Sequence, residues 1–141
     1  MEKTASAKWR GGLKAGSGTV SVQSGLFADA PYSFARRFGD EPGTNPEELV
    51  AAAHAACFSM AFSAQLEAAG FPPELVETTA TVTLEKVGDG FSVTRSHLAT
   101  EARAPGLEEA RFQEIAASAK AGCPISRLLS AEITLSAKLE R

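Results

Sequence analysis

In this 141-residue sequence, two cysteines and two histidines are the side chains best suited to nucleophilic, redox or metal chemistry. Cys57 stands in the run Ala52-Ala53-His54-Ala55-Ala56-Cys57-Phe58-Ser59-Met60, and Cys123 in Ala121-Gly122-Cys123-Pro124-Ile125-Ser126. Several roles compete for them. A free cysteine in an apolar run packs as a small hydrophobe, and that plain role is open to Cys57. Cys123 sits at a Gly–Pro break. As an N-cap with Pro124 at the first helical position, it turns its sulfur toward helix amides that lower a thiol pKa; as the tail of a preceding helix it is inert. Structural zinc draws on close pairs such as C-x₂₋₄-C, which are absent, although His54 and Cys57 at i, i+3 make a half-site. A cysteine hydrolase needs His54 as base to Cys57. Two such groups on one regular helix diverge, and no second His or Asn is placed to orient the base. His97 falls in a strand, at a surface or edge. Gly16-Ser17-Gly18 precedes a strand rather than a helix, so it is hairpin chemistry and not a phosphate cradle.

A redox pair is the remaining option. The cysteines lie 66 positions apart, in different elements, and meet only by tertiary contact. Such a pair, in a reducing compartment, is suited to cycling between dithiol and disulfide. The cycle needs an ionised thiol, a cation to hold it so, and a second thiol to resolve the sulfenic acid. Arg36 and Arg37 are the candidate cations. The alternation of Tyr32, Phe34 and Phe38 puts Arg36 on their face of a strand and Arg37 on the other.

The elements that position these residues follow from the pattern. Leu49 to Leu66 is eighteen residues without a formal charge, at the lower edge of membrane-spanning length. Half of those positions are Ala or Ser, no Lys or Arg cluster flanks them, and no Trp or Tyr belt marks an interface. The segment reads as a helix buried in protein over 46–69. Asn45 caps it, Pro46 takes its first position, Glu48 reaches back to the cap, and Gly70-Phe71-Pro72-Pro73 ends it. Before it, 7–10, 19–24 and 32–38 have strand character and make a three-strand antiparallel meander. After it, 77–86 and 91–101 form a hairpin around Gly88-Asp89-Gly90. A second helix covers 107–121, with Phe112, Ile115, Ala116 and Ala119 as its apolar stripe. Gly122-Cys123-Pro124 breaks it, a short turn follows over 125–129, and 132–140 is a last strand. The order βββ-α-ββ-α-β is an α+β fold with mostly antiparallel sheet, in one domain over 1–141. A long helix apolar all round needs cover on every side. Either the sheets wrap it or a second copy of the chain does; a homodimer is the expectation.

Composition excludes other classes. Fourteen Lys and Arg against seventeen Asp and Glu give a net charge of −3, so a phosphate-tracking nucleic-acid surface is not expected. Met1 to Ala5 opens no apolar run of the secretory type. Two cysteines are too few for a disulfide-scaffolded secreted domain, and a cytoplasmic location is expected.

The residues Gly43-Thr44-Asn45-Pro46-Glu47-Glu48-Leu49, the run from Ala52 through Cys57 to Met60, and Ala121 to Ser126 together resemble the signature of the OsmC/Ohr hydroperoxide peroxidases. The His-Ala-Ala-Cys-Phe-Ser-Met pattern is closer to the osmotically inducible branch. The resemblance covers essentially the whole chain. It implies an OsmC-like fold of antiparallel sheets packed around two helices, in an intertwined homodimer with the reactive cysteine at the subunit interface. It also implies a thiol peroxidase of oxidative or osmotic stress defence, acting on organic hydroperoxides and more weakly on hydrogen peroxide. By residue match, Cys57 is the peroxidatic cysteine, Cys123 the resolving one, Arg37 the arginine that stabilises the thiolate, and Glu47 its acidic partner. Glu48 keeps the capping role and Arg36 is a surface position.

In the implied mechanism the Cys57 thiolate attacks the distal peroxide oxygen, an alcohol leaves, and Cys123 condenses with the sulfenic acid. An external dithiol or lipoyl-type reductant then reduces the disulfide by exchange, with no metal, flavin or haem. Phe58 and Phe62 favour apolar peroxide tails. Given these roles, Glu47 and Cys57 are ten positions apart on one helix, or roughly 15 Å along its axis. An antiparallel helix from a second chain brings another Glu47 alongside. The alternative is a non-catalytic dimeric stress or apolar-ligand-binding domain on the same fold, with no membrane or nucleic-acid partner in either case.

Overall fold

In the computed structural model, which describes residues 1–141, the chain runs β1 (Ala5–Arg10), β2 (Ser17–Val22), β3 (Ala30–Tyr32), α1 (Phe34–Phe38), α2 (Pro46–Ala68), β4 (Leu75–Val87), β5 (Gly90–Arg103), α3 (Glu109–Gly122), α4 (Pro124–Leu128) and β6 (Glu132–Glu140). Its contacts divide it into two units, Met1–Leu49 and Val50–Arg141, with α2 beginning in the first.

The first unit carries an antiparallel sheet in the order β1-β2-β3. Ala5 pairs with Val22 and Arg10 with Ser17, and Gly18 faces Tyr32 on the far side. Only glycine fits there. A Cβ on Gly18 would stand 2.7 Å from both the Trp9 and Tyr32 rings, which tilt together over it at 5.4 Å. Every residue of β1 is exposed.

The third strand is shorter than the alternation predicts. It stops at Tyr32, and Phe34–Phe38 is a helix. Aromatics at 34 and 38 fit a helix face as well as a strand face, being i, i+4, and their rings lie 4.8 Å apart. Ser33 decides the matter: its hydroxyl accepts from the Arg36 amide as an N-cap, and Gly39 closes the C-terminal end on Ala35. The division of Arg36 and Arg37 between two faces of a strand therefore does not apply. As consecutive helical residues they point about 100° apart.

The start of α2 is as its sequence predicts, with one difference. The Asn45 side chain accepts from the Glu48 amide at 2.9 Å, Pro46 takes the first helical position, and Glu47 and Glu48 lie in the first turn. The Glu48 carboxylate does not reach back to the cap but accepts from the Thr44 hydroxyl at 3.2 Å. At the other end Gly70 adopts φ 89°, with Phe71 N–H on Leu66 and Gly70 N–H on Glu67. That is a Schellman closure at the glycine where the sequence pattern sets the stop, with the last helical residue at Ala68, one earlier than expected.

In the second unit β4 and β5 form a long hairpin, Val87 pairing with Gly90 across Gly88-Asp89, and Gly88 takes the positive φ of 61° that the tight turn demands. β6 adds beside β5, but in parallel, so this sheet is mixed rather than wholly antiparallel. The crossover through α3 and α4 makes that pairing possible, since parallel neighbours need a long connection. The core lies between sheet and helices. Phe58, Phe62 and Leu66 of α2, Leu98 and Ala102 of β5, and the stripe Phe112, Ile115, Ala116 and Ala119 of α3 are all buried. Phe62 stacks on both Phe58 and Phe112, at 5.5 and 5.4 Å.

Full burial of α2, expected from its uncharged sequence, does not occur within one chain. His54, Phe58, Phe62 and Leu66 form a single buried stripe at four-residue spacing, whereas Ala53, Ala56, Met60 and Ala64 are exposed. Alanine adds little transfer energy on either face, so a stripe of larger side chains is enough to seat the helix. By length and composition α2 also reaches what a membrane span needs. Its Phe58, Phe62 and Leu66 side chains are committed instead to the protein's own core.

Candidate active site

The fold brings the four sequence-selected residues together as two pairs. One is Cys57 with Cys123. Cys57 comes from the middle of α2, on the flank of its buried stripe, and is half-buried; Cys123 is fully buried at the joint between α3 and α4. The joint arises because Pro124 has no amide hydrogen to continue α3, while its fixed φ suits the first position of a new helix. Cys123 thereby serves both elements: its amide donates to Ala119 at the end of α3, and its carbonyl accepts from Arg127 in α4. The N-cap placement weighed from the sequence is the one observed.

Cys57 and Cys123 are near enough to shift each other's ionisation, and neither is in a disulfide. Burial pushes the Cys57 thiol above its ordinary range; the Ile125 amide opposes this, and the neighbouring Cys123 adds to it. Cys123 moves the other way. Burial alone would raise it, but the Ser126 amide, the Cys57 thiol, the Ser126 hydroxyl and the Ile125 amide all stabilise its thiolate and together lower its pKa. Within one chain the surroundings therefore favour a thiolate at Cys123 over one at Cys57.

The other pair is Arg37 with Glu47. Nη2 of Arg37 lies 2.7 Å from Oε1 of Glu47, and Nε donates to both carboxylate oxygens at 3.2 Å. Charge-assisted contact along one edge fixes the guanidinium plane. Glu47 is fixed in turn by the first turn of α2, where the helix dipole favours a carboxylate. The guanidinium also lies over the Phe38 ring at 5.1 Å. Glu47 is largely covered, at 13% side-chain exposure, while Arg37 keeps 36%, so the arginine has an open edge for a further partner.

Arg36, the other candidate cation, is spent on structure. Its Nε donates to the Pro42 carbonyl at 3.1 Å and its Nη2 faces Glu41 at 3.6 Å. Gly43, at φ 148°, leaves the room this side chain occupies; a Cβ there would stand 2.4 Å from Arg36 Cδ. Arg36 thus ties down the loop that leads into α2.

The histidines are engaged away from any base or ligand role. His54, fully buried, has Nδ1 2.6 Å from Ser96 Oγ and Nε2 2.8 Å from Ser126 Oγ. With both ring nitrogens on hydroxyls, it is neither half of a zinc site nor a base to Cys57. Burial lowers its pKa and keeps it neutral. His97 pairs with Thr134 at 2.6 Å. Ser96 and Ser126 are the residues that sequence reasoning passed over. Ser126 stood in the Cys123 run, but nothing in the spacing of a serine 72 positions from a histidine announces their contact.

Comparison with known proteins places the chain in a family. The family described as OsmC-like protein matches residues 39–138. Peroxiredoxin OsmC of Escherichia coli K12 is 51% identical over 140 residues, covering 99% of this chain and 98% of that one. The organic hydroperoxide resistance protein of Xanthomonas axonopodis pv. citri is 30% identical over 123 residues, or 84% of each chain. Among solved structures, the organic hydroperoxide resistance protein OhrB of Bacillus subtilis superposes with a TM-score of 0.67 at 25% identity, over 97% of this chain and 98% of the other. A match that spans both units, at half identity to one relative over nearly its whole length, reflects common descent, and this chain belongs to the OsmC-like protein family.

Proposed function

We propose that this chain is a cysteine-based peroxidase that reduces organic hydroperoxides, and hydrogen peroxide less well, in oxidative or osmotic stress defence. Peroxidase-type activity is supported by kinship to a peroxiredoxin and to organic hydroperoxide resistance proteins. One observation carries the mechanism: two free thiols, distant in sequence, are brought near enough to shift each other's ionisation, at a helix start whose amides favour a thiolate. The family match crosses the boundary between the two units, which supports reading residues 1–141 as one functional domain.

In this reading Cys57 is the peroxidatic residue, being the more exposed of the two sulfurs. Its thiolate attacks the distal oxygen of the peroxide, the O–O bond breaks, and the alcohol leaves with a proton. Cys57 becomes a sulfenic acid. Cys123 attacks that sulfur, water departs and the disulfide closes. An external dithiol or lipoyl-type reductant restores both thiols by exchange. The reaction as written calls for no metal or organic cofactor.

The ionisation of Cys57 needs help, because the surroundings within one chain favour charge on Cys123. A cation brought to Cys57 reverses that preference, and Arg37, oriented by Glu47, is the side chain suited to bring it. Ten helical residues separate Glu47 from Cys57, about 15 Å of axis, so the arginine pair is read as acting on the cysteine of a second copy packed antiparallel. The exposed face of α2 at Ala53, Ala56, Met60 and Ala64 supports that homodimer. So does the open groove of about 880 Å³ beside it, where Ala55, Ala56 and Ser59 face Thr78 and Thr100. A cytoplasmic location fits the need for reduced thiols.

Stoichiometric titration of the reduced protein with cumene hydroperoxide tests the reading. Two thiols per chain should be lost at one equivalent, with a Cys57–Cys123 bridge found by peptide mapping. Thiols that survive excess peroxide would return Cys57 to a packing role and favour a non-catalytic, ligand-binding domain.

A further inference from the structure

Arg37 is carried by a weakly supported element. α1 has five residues, too few to stand as an isolated helix, and none of them is buried. Burial in the core therefore does not aim the guanidinium, and tethers to neighbouring segments must do so.

One tether reaches the start of α2, where Glu47 sits. The Asn45 side chain has two ends: Oδ1 accepts from the Glu48 amide at 2.9 Å, and Nδ2 donates to the Arg36 carbonyl at 3.4 Å. These partners fix the orientation of the carboxamide, because a backbone N–H only donates and a carbonyl only accepts. The Arg36 carbonyl is one of the last in α1, which a helix end leaves for outside donors. A single side chain thus joins α1 to the first turn of α2, one residue from Arg37 and two from Glu47.

The surrounding groups keep the acids and arginines sorted. Thr44 Oγ1 donates to the Glu48 carboxylate at 3.2 Å, which leaves Glu47 to Arg37. The Arg36 side chain holds the Pro42 carbonyl at 3.1 Å, and Ser33 Oγ donates to Glu41 at 3.2 Å. Those bonds brace the loop between the helices, whereas the Asn45 bond runs from α1 to the residue that caps α2. The residue type matters here. Ser, Thr, Asp and Asn all cap a helix well, and of these asparagine alone adds N–H donors to the capping oxygen. For a cap and nothing more, any of the four would serve.

We propose that Asn45 is a positioning residue for the reaction: its Nδ2–H holds α1 by the Arg36 carbonyl, so that the Arg37 guanidinium meets Glu47 along one edge and keeps the other for the thiolate it serves. The inference rests on the role of Arg37 proposed above.

The test uses Asn45→Ser and Asn45→Asp, which keep a cap and lose the N–H, together with Arg37→Ala and the double variant that combines Asn45→Ser with Arg37→Ala. Two quantities are read on the full chain: the pH profile of kcat/KM for cumene hydroperoxide, and the exchange rate of the Arg37 Nε proton by heteronuclear NMR. In both Asn45 variants the Nε proton should exchange faster than in the parent. Their kcat/KM should fall about tenfold at neutral pH with the midpoint raised by about one unit, a one-unit shift being tenfold in thiolate. The neutral serine separates loss of the N–H from the added charge of aspartate. Because Asn45 acts through Arg37, the serine substitution should cost nothing further once Arg37 is alanine. A parent-like exchange rate or a parent-like profile in Asn45→Ser overturns the proposal. So does an equal loss with and without Arg37, which would mark a cap alone. Failure of the arginine role is separate: it shows as an unchanged profile in Arg37→Ala, while the Nε exchange rate still decides whether Asn45 holds the pair.

Discussion

Cys57 and Cys123, 66 positions apart in sequence, shift each other's ionisation in opposite directions, and in one chain the more buried of the two sulfurs is the one whose pKa is lowered. Two thiols that shift each other's ionisation titrate as a pair. What distinguishes them is access: Cys57 is open to a small substrate and Cys123 is not.

Removing either sulfur should therefore have different consequences. Cys57→Ser is expected to abolish peroxide consumption outright, followed by ferrous–xylenol orange assay. Cys123→Ser should complete a first turnover at near-parent rate, then accumulate over-oxidised Cys57, visible by mass as added oxygens. Sustained turnover in Cys123→Ser would mean that another thiol resolves Cys57.

Arg37→Ala should raise the alkylation midpoint of Cys57 and lower kcat/KM for cumene hydroperoxide by roughly 100-fold, as expected when a preorganised charge leaves a reacting centre. Glu47→Gln should act in the same direction but more weakly, because the amide still accepts from the guanidinium without charge assistance. Arg36→Ala is the contrast. It should loosen the loop at Glu41–Gly43, cost about 1 kcal/mol of stability, and leave the Cys57 profile in place.

Placing a charge on the open face of α2 tests the homodimer. Met60 is 76% exposed in one chain. Met60→Arg should sediment as a monomer and lose peroxide reduction, yet still close the Cys57–Cys123 disulfide under a chemical oxidant. Parent mass and parent activity in this variant would discard the shared active site.

His54 gives the fold a pH dependence whose sign is fixed. Burial lowers its pKa from the ordinary 6.5, so the unfolded chain binds this proton at a pH where the folded chain does not. Stability is fully present above about 6.5, is lost progressively as pH falls below it, and the loss is complete once pH passes the folded pKa. The melting temperature should drop more steeply between pH 7 and pH 5 in the parent than in His54→Gln, measured by scanning calorimetry. Equal slopes would mean the ring is already free to charge in the folded state.

Much of this architecture was legible in the residues. The cap at Asn45, the stop at Gly70, the turn at Gly88-Asp89, the stripe of α3 and the bounds of β6 are all local signals, and local signals are what a single sequence carries. Three features were not. Phe34 and Phe38 satisfy helix and strand spacing alike, and only Ser33 and Gly39 break the tie. The direction of β6 is set by how its crossover packs, which its own alternation does not encode. The Ser96–His54–Ser126 bridge joins residues 42 and 72 positions apart that have no motif between them. The Arg37–Glu47 pair is intermediate: a ten-residue spacing across a loop predicts nothing by itself, and the family resemblance alone singled it out.

The Gly–Pro joint that seats Cys123 has a kinetic meaning. In the proposed cycle the two sulfurs are neighbours before any oxidant arrives, so sealing the bridge would take a small side-chain adjustment and not the melting of a helix. A catalyst of that kind would have no refolding interval in its cycle. Its pace would be set by encounters, with peroxide at one end and reductant at the other, and its exposed sulfur would be shielded almost as soon as it had reacted.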